Sequence, residues 1–210
     1  MKVKIIGMGA LGVMYANYIK ERAGEDAVCF VMDSSRLERY EGQVFLCNKK
    51  EQTFCMEDSE KAEKADLVIV AVKYNGLASA IETMKHCVGD GTIIMSVMNG
   101  ISSEDRIAAQ YGADKMIYTV AQGMDAMKFG NELRIYPDRG ELRIGGKTAA
   151  AGEECRGGIK VLRRDPDALS EGCGHHAPHL GQVHAECRRK PDLHDLWNQL
   201  CGRSSGRRGT

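Results

Sequence analysis

The feature that most restricts the fold of this chain is its opening stretch, in which an apolar run stops at a glycine-rich turn. The run "VKIIG" is typical of a buried strand, and "ALGVMYANYIKER" then places its apolar residues at helical spacing. The turn between them, "GMGALG", has glycines at Gly7, Gly9 and Gly12. A second apolar run, "AVCFVMD", follows at about the distance that closes one βαβ unit. The opening therefore predicts two strands of a parallel sheet joined by a helix.

The same alternation continues along the chain. "ADLVIVAVK" and "GTIIMSVMN" are two more strands of the buried type, and the amphipathic segment "GLASAIETMKHCV" lies between them. This order predicts an α/β fold of the Rossmann type, a doubly wound and mainly parallel sheet with helices on both faces. After this sheet we expect antiparallel strands near "NELRIYP" and "GELRIGG".

The three glycines of the turn have different tasks in such a fold. Gly7 permits the tight turn, Gly9 lets backbone N–H groups approach a pyrophosphate, and Gly12 lets the helix pack closely on the strand. Asp33 stands 21 residues after Gly12, at the end of the second strand. An acidic residue at that place completes the dinucleotide-binding fingerprint, so the sequence predicts a dinucleotide site.

Residues after the second strand leave the choice of dinucleotide open. The Asp33 carboxylate would pair with a ribose 2′-hydroxyl and favours NAD, whereas Ser34, Ser35 and Arg36 could hold a 2′-phosphate and favour NADP. The alternative for Arg36 is a solvated residue in the first turn of a helix, with no role in binding.

Two polar residues directly follow predicted strands. Lys73 comes after "VIVAV", and Asn99 comes after "IIMSVM". Ligands of open α/β sheets bind at these carboxyl ends, where a lysine can meet a phosphate or carboxylate and an asparagine amide can bind a carbonyl and a ribose hydroxyl. A loop cap for Lys73 and a turn residue for Asn99 are the structural alternatives.

Charge and cysteine content restrict location and partners. Lys and Arg number 29, as do Asp and Glu, so no excess of either sign indicates a nucleic-acid partner. Because glycines interrupt the apolar start, it is neither a signal peptide nor a membrane span, and we expect a cytoplasmic protein. We also expect reduced thiols at Cys29, Cys47, Cys55 and Cys87, packed as small apolar side chains.

Composition changes sharply near Gly146. All 11 methionines lie at or before Met127, and no Phe or Tyr follows Tyr136.

Residues 173–201 hold five of the six histidines and three of the eight cysteines. Because their spacings do not match a zinc module, we predict no metal site. A stand-alone dinucleotide-binding module with a metal- or partner-binding Cys/His tail remains the alternative.

The motifs together resemble a known family. "KIIGMGALG", "DLVIVAVKYNGLASAIE", "MNGISSEDRI", "YTVAQGMDA" and "GELRIG" are similar to the N-terminal half of ketopantoate reductases. The resemblance implies NADPH-dependent reduction of the 2-keto acid ketopantoate to pantoate, in pantothenate and coenzyme A synthesis. It also implies that Arg36 holds a 2′-phosphate and that Asn99 lies near the substrate. Dinucleotide binding is carried over to these positions: Gly7, Met8, Gly9, Ala10, Leu11, Gly12, Lys73, Asn99 and Ala121.

The second domain of this family is helical and carries its catalytic lysine in the pattern W-x-K-x-x-x-N-x-x-x-N, which the translated chain lacks. Read one base later, four residue pairs permit this pattern: Leu180-Gly181, Gln182-Val183, Glu186-Cys187 and Lys190-Pro191. We therefore expect residues 1–146 to form the NADP-binding domain and residues 147–210 to be an out-of-frame tail without a packed core. On this interpretation the helical domain is missing or scrambled, and no catalytic residue is assigned.

Overall fold

Strands and helices alternate in the described part of the chain, which comprises residues 1–99, 102–122, 125–136, 141–145 and 159–161 of a computed structural model. The strands are β1 (Val3–Ile6), β2 (Val28–Met32), β3 (Phe45–Cys47), β4 (Lys50–Gln52), β5 (Cys55–Asp58), β6 (Leu67–Val70), β7 (Ile93–Ser96), β8 (Met116–Gln122), β9 (Asp125–Phe129), β10 (Glu132–Tyr136), β11 (Glu141–Gly145) and β12 (Ile159–Val161). The helices are α1 (Ala10–Ala23), α2 (Ser34–Tyr40), α3 (Leu77–Thr83) and α4 (Ser102–Tyr111).

The main sheet is mainly parallel, which confirms the predicted fold class. Its strand order is β12-β11-β8-β7-β6-β1-β2-β5. The neighbours from β8 to β5 pair in parallel, whereas β11 runs antiparallel to β8 and β12 runs antiparallel to β11. The two antiparallel strands predicted from the sequence are β10 and β11.

The central strands are buried on both faces. Every residue of β1, β2 and β6 is buried, which is why these segments read as continuous apolar runs rather than as alternating ones. Full burial of a Val or Ile side chain stabilises the fold by about 1.5–3 kcal/mol. Lys4 is the one polar residue of β1, and it is buried like its neighbours. Its Nζ lies 2.5 Å from Oε1 of Glu57 in β5, so the buried charge is paired.

Helices cover both faces of the sheet, as predicted. On one face α1 buries Val13 and Ile19, and on the other α3 and α4 bury Leu77, Ala80 and Ile107. No helix in the described residues is long and apolar enough to cross a membrane.

Helix α3 is shorter than the amphipathic segment predicted from the sequence. It ends at Thr83, and the chain continues in turns closed by N–H groups of Cys87 and Val88 that donate to the carbonyl oxygen of Met84. The turns still bury Met84 and Cys87 completely, so the apolar pattern is satisfied without a longer helix. Burial raises the pKa of the Cys87 thiol to about 11.

A second, smaller sheet was not predicted. Its order is β4-β3-β10-β9, with β3 parallel to β10 and the other pairs antiparallel. Phe45 of β3 and Leu133 of β10 are fully buried and join the same apolar cluster as Val13 and Tyr15 of α1. This sheet therefore packs against α1.

The predicted tail lies almost entirely outside the described residues. This holds for the boundary near residue 147 and for the Cys/His-rich residues 173–201. Within the tail, the described residues Ile159–Val161 form β12, a strand that was not predicted.

The expectation of four separate reduced thiols is wrong for Cys29 and Cys55, which are joined by a disulfide. They are direct partners in the register of β2 and β5, with their Cα atoms 4.6 Å apart, so both sulfur atoms project from the same face of the sheet. The sequence could not show this because β5 was not recognised as a strand. Cys47 and Cys87 are free and buried, as expected.

We predict that alkylation under denaturing conditions without a reductant leaves Cys29 and Cys55 unmodified, whereas reduction first makes them reactive. The reason is that only the disulfide removes these two thiols; burial protects Cys47 and Cys87 only until the chain unfolds. Peptide mass spectrometry measures the outcome. Alkylated Cys29 or Cys55 in the unreduced sample would contradict the pairing.

Candidate functional site

The order of strands reverses between β1 and β6. From β1 the sheet extends to β2 and β5 on one side, whereas β6, β7 and β8 extend it on the other. Ligands of open α/β sheets bind at such a point, outside the carboxyl ends of the strands. Neighbouring strands are about 4.8 Å apart, so the edge from β2 to β8 extends over about 19 Å. The residues predicted to bind a dinucleotide all lie along this edge.

Packing within the protein requires two of the three glycines. A Cβ atom on Gly7 would lie 2.6 Å from the backbone oxygen of Ala71, and its φ of +108° is unfavourable for other residues. A Cβ atom on Gly12 would overlap the backbone oxygen of Gly7. These contacts bring β1, α1 and the loop after β6 together, as predicted for the turn and for the close helix packing.

No contact within the described residues requires a glycine at position 9. The backbone of Gly9 is extended, with φ −80° and ψ −174°, and a Cβ atom would meet only the backbone oxygen of Ala71, at 3.8 Å. The residue is exposed. Because neither backbone conformation nor packing requires a glycine here, the bare backbone leaves a cradle that a Cβ would narrow and that fits a pyrophosphate group.

The start of α1 offers backbone donors beside this cradle. Gly9 is the N-cap, and its carbonyl oxygen accepts a hydrogen bond from the N–H of Val13 at 3.0 Å. The N–H groups of Ala10, Leu11 and Gly12 have no acceptor within the helix, and no side chain caps them. The first turn contains no acidic residue, so the positive end of the helix dipole faces the cradle without a counter charge from that turn.

Asp33 and Arg36 bind each other at the carboxyl end of β2. Asp33 is the N-cap of α2, and its Oδ1 accepts a hydrogen bond from the backbone N–H of Arg36 at 2.9 Å. The Nε of Arg36 lies 3.4 Å from Oδ2 of the same carboxylate, and both side chains are about half exposed. The structure therefore gives Asp33 a capping role in addition to the ribose contact that the sequence suggested.

Asp58 is a neighbour that was not predicted. It ends β5, beside β2, and its Oδ2 accepts a hydrogen bond from Ser34 Oγ at 2.9 Å. Hydrogen bonds from the backbone N–H of Glu60 and from Ser34 lower the pKa of its carboxyl group. Only the register of β2 and β5 reveals it, because no strand was predicted there from the sequence.

Lys73 lies close to the glycine turn. The loop from β6 to Lys73 begins with Ala71, whose N–H donates to the carbonyl oxygen of Ile6 at 2.8 Å. The next residue, Val72, would lie 2.7 Å from a Cβ atom on Gly7. Lys73 itself is exposed, and its ammonium has no partner among the described residues, so it can reach a ligand.

Asn99 and Ala121 lie at the next two strands of the sheet, β7 and β8. Asn99 lies in the loop that follows the carboxyl end of β7 at Ser96, and Ala121 lies near the end of β8, beyond the positions that pair with β7. Asn99 is exposed, and Ala121 is half-buried. The structure thus brings both to the edge that also carries Lys73 and the glycine turn.

A buried polar network supports the loop before Asn99. Ser96 Oγ lies 2.9 Å from Ser103 Oγ, which also donates to Glu104 Oε2 at 2.6 Å. Thr119 Oγ1 of β8 donates to the backbone oxygen of Ser96. The sequence signal for this network was weak: one serine inside the apolar run "IIMSVM".

Lys128 of β9 is a further residue that the sequence did not indicate. Its ammonium donates a hydrogen bond to the backbone oxygen of Met8, in the middle of the glycine turn, at 2.8 Å. Met8 itself buries its side chain in the core below the turn.

Comparisons with known proteins agree with this geometry. Residues 3–129 match a family model described as ketopantoate reductase PanE/ApbA. The 2-dehydropantoate 2-reductase of Aquifex aeolicus is 30% identical over 159 residues, which are 73% of this chain and 49% of that protein. The chain thus spans about half the length of the curated relatives that it matches.

Solved structures show the same fold at lower identity. The 2-dehydropantoate 2-reductase of Geobacter metallireducens has a TM-score of 0.59 and 24% identity, over 72% of this chain and 51% of that one. A D-mandelate dehydrogenase solved with NADH and anilino(oxo)acetate has a TM-score of 0.57 and 17% identity, over 68% and 47%.

We predict different effects for two glycine substitutions. Gly9→Val should cost no more than about 1 kcal/mol of the free energy of unfolding, because its side chain would point to solvent and only a favourable N-cap residue is lost, but it should abolish dinucleotide binding. Gly12→Ala should cost about 1–3 kcal/mol or more, because the new methyl group overlaps the Gly7 backbone. Denaturant unfolding and fluorescence titration with NADPH measure both. A Gly9→Val variant that binds NADPH as tightly as the wild type would exclude the cradle as the pyrophosphate site.

Proposed function

The chain belongs to the ketopantoate reductase PanE/ApbA family, and from this membership we propose that residues 1–146 are the NADP-binding domain of a 2-dehydropantoate 2-reductase. The observation that carries the proposal is the bare backbone at Gly9, a glycine that the fold itself does not need. It stands at the reversal of strand order, beside free N–H groups of α1. The substrate would be a small 2-keto acid, with ketopantoate as the first candidate, and the protein would be cytoplasmic.

The residues along the edge would contact different parts of the dinucleotide. Residues 7–12 would hold the pyrophosphate through backbone N–H groups, and Asp33 with Arg36 would face the adenosine ribose. Lys73 and Asn99 would lie towards the nicotinamide half, where Asn99 can donate to a substrate carbonyl and accept from a ribose hydroxyl. Ala121 has no polar side chain, so it would contribute shape and backbone contacts.

The chemistry of the reduction has two requirements. A bound NADPH supplies the hydride that reduces the keto carbon. A proton donor must neutralise the alkoxide oxygen, and in this family that donor is a lysine of the second domain. The translated chain has no W-x-K-x-x-x-N-x-x-x-N pattern to supply it. We therefore propose that this chain binds the dinucleotide but does not turn over ketopantoate.

The preference for NADPH rests on Arg36. A 2′-phosphate would compete with Asp33 for the guanidinium group, and the exposed ion pair between them is worth only about 0–1 kcal/mol, so it can open. Asp33 would stay in place through its hydrogen bond with the backbone N–H of Arg36. If instead Asp33 bound the 2′-hydroxyl, NAD would be preferred.

We predict that Arg36→Gln weakens NADP⁺ binding about tenfold, which is the effect of losing one charge-assisted phosphate contact, and changes NAD⁺ binding less than about twofold. Isothermal titration with each dinucleotide measures the two affinities. Arg39→Gln is the matched control, because Arg39 is exposed on the same helix and, among the described residues, its side chain bonds only the backbone oxygen of Ser35. Equal losses for both dinucleotides would remove Arg36 from the 2′-phosphate site.

We predict that one base change restores an enzyme. Shifting the frame between the codons of Gly146 and Cys155 should give a longer chain with a helical second domain and the lysine motif. That chain should oxidise NADPH in the presence of ketopantoate, and changing the motif lysine to alanine should lower kcat on the order of hundredfold or more.

The 210-residue chain is the control and should show no such oxidation. Two results would contradict this account of the tail: reduction of ketopantoate by the 210-residue chain, or a stop codon soon after the N-x-x-x-N segment in the shifted frame. Either would mean that the tail is not an out-of-frame remnant and would reopen the metal-binding alternative for its Cys and His residues.

A further inference from the structure

Lys128 connects the second sheet to the glycine turn. It lies on β9, and its Nζ donates to the backbone oxygen of Met8 at 2.8 Å, across 120 residues of sequence. No dinucleotide-binding motif in this sequence includes Lys128. The contact therefore links the small sheet, which also packs on α1, directly to the glycine turn.

The accepting carbonyl belongs to the peptide group between Met8 and Gly9. A trans peptide is planar, so its C=O and its N–H point in opposite directions. The ammonium of Lys128 occupies the carbonyl side of this group. The N–H of Gly9 must therefore point away from Lys128, and Gly9 is the exposed residue at the cradle.

The lysine is itself held in place. Its Nζ lies 5.1 Å from the ring centroid of Phe45 and 5.4 Å from that of Tyr40, both within the range of cation–π attraction. Phe45 is fully buried, and Lys128 is half-buried. Desolvation lowers the pKa of the ammonium, as expected for a lysine in a prepared position rather than on a free surface.

We propose that Lys128 is a positioning residue for dinucleotide binding: by holding the Met8 carbonyl, it orients the N–H of Gly9 towards the pyrophosphate. Lys128 would not touch the phosphates, because it binds the opposite side of the peptide group. The inference rests on the proposed function, since it assumes that a pyrophosphate occupies the cradle. Its physical effect is preorganisation, in which a donor already aimed at the ligand need not be ordered on binding.

The sequence offers a direct probe of this peptide group. Met8-Gly9 is the one place in the chain where a glycine follows a methionine. Labelling with carbonyl-¹³C methionine and ¹⁵N glycine therefore gives a single signal in an HNCO spectrum, which reports the Met8 carbonyl and the Gly9 N–H together. The full 210-residue chain is used throughout.

Two variants and one control are compared in this spectrum without nucleotide. Lys128→Met keeps the apolar stem but removes the donor, and should move the Met8 carbonyl signal. Lys128→Arg restores a donor and should return the signal towards the wild type. Lys64→Met is the matched control, because Lys64 also donates to a backbone carbonyl, that of Val88 at 2.7 Å, and should leave the signal unchanged.

The same proteins are then titrated with NADP⁺. We expect Lys128→Met to weaken binding about tenfold, Lys128→Arg to recover most of the loss, and Lys64→Met to stay within about twofold of the wild type. The Gly9 N–H signal should shift on addition of NADP⁺ in the wild type, and by less in Lys128→Met. A thermal melt of each variant separates a loss of binding from a loss of folding.

Three results would overturn the inference. An unmoved Met8 carbonyl signal in Lys128→Met would show that the hydrogen bond is absent in solution. A moved signal with unchanged NADP⁺ affinity would show that the bond does not serve binding. A loss of affinity that arginine does not recover would indicate a packing role.

Failure of the proposed function is a different result. In that case the wild-type chain binds neither NADP⁺ nor NAD⁺, while the Met8 carbonyl signal still responds to Lys128→Met.

Discussion

The close approach of α1 to β1 and to the loop after β6 is the constraint on which the site depends. A side chain at position 12 would overlap the carbonyl oxygen of Gly7. A side chain at position 7 would overlap the backbone oxygen of Ala71. With these two contacts made, the first N–H groups of α1 lie at the carboxyl end of β1. An anion site then follows from the helix start itself, without a charged side chain.

The glycine turn is supported from two sides. Below it, the buried side chain of Met8 packs into the core, and beside it Lys128 holds the Met8 carbonyl. Lys128 is in turn fixed by Tyr40 at the end of α2 and by Phe45 at the start of β3. The segment that follows the carboxyl end of β2 thus contacts the lysine that holds the glycine turn, which links the small sheet to the cradle.

The sequence predicted the elements whose pattern is local. Strands β1, β2 and β6 are buried on both faces and read as apolar runs, and the glycine turn has its signature within six residues, Gly7 to Gly12. The small sheet had no such signal, because β3 and β4 are three residues long and β3 pairs with the distant β10. The disulfide and the Lys128 contact were missed for the same reason, since both depend on the register or packing of segments far apart in sequence.

The proposed function assigns binding and turnover to different parts of the enzyme. The described contacts around the glycine turn come from Ala71, Val72 and Lys128, which all lie before the composition break. Under the proposed function, the phosphate donors are the backbone N–H groups that these contacts hold in place. Reduction of a keto group also needs a proton donor placed within about 3–3.5 Å of the reacting oxygen, and a donor on another domain is lost when that domain is not translated. Under the proposed function, loss of such a donor would remove the rate acceleration but not the cradle, because the described contacts that position the start of α1 come from β1, the loop after β6 and Lys128.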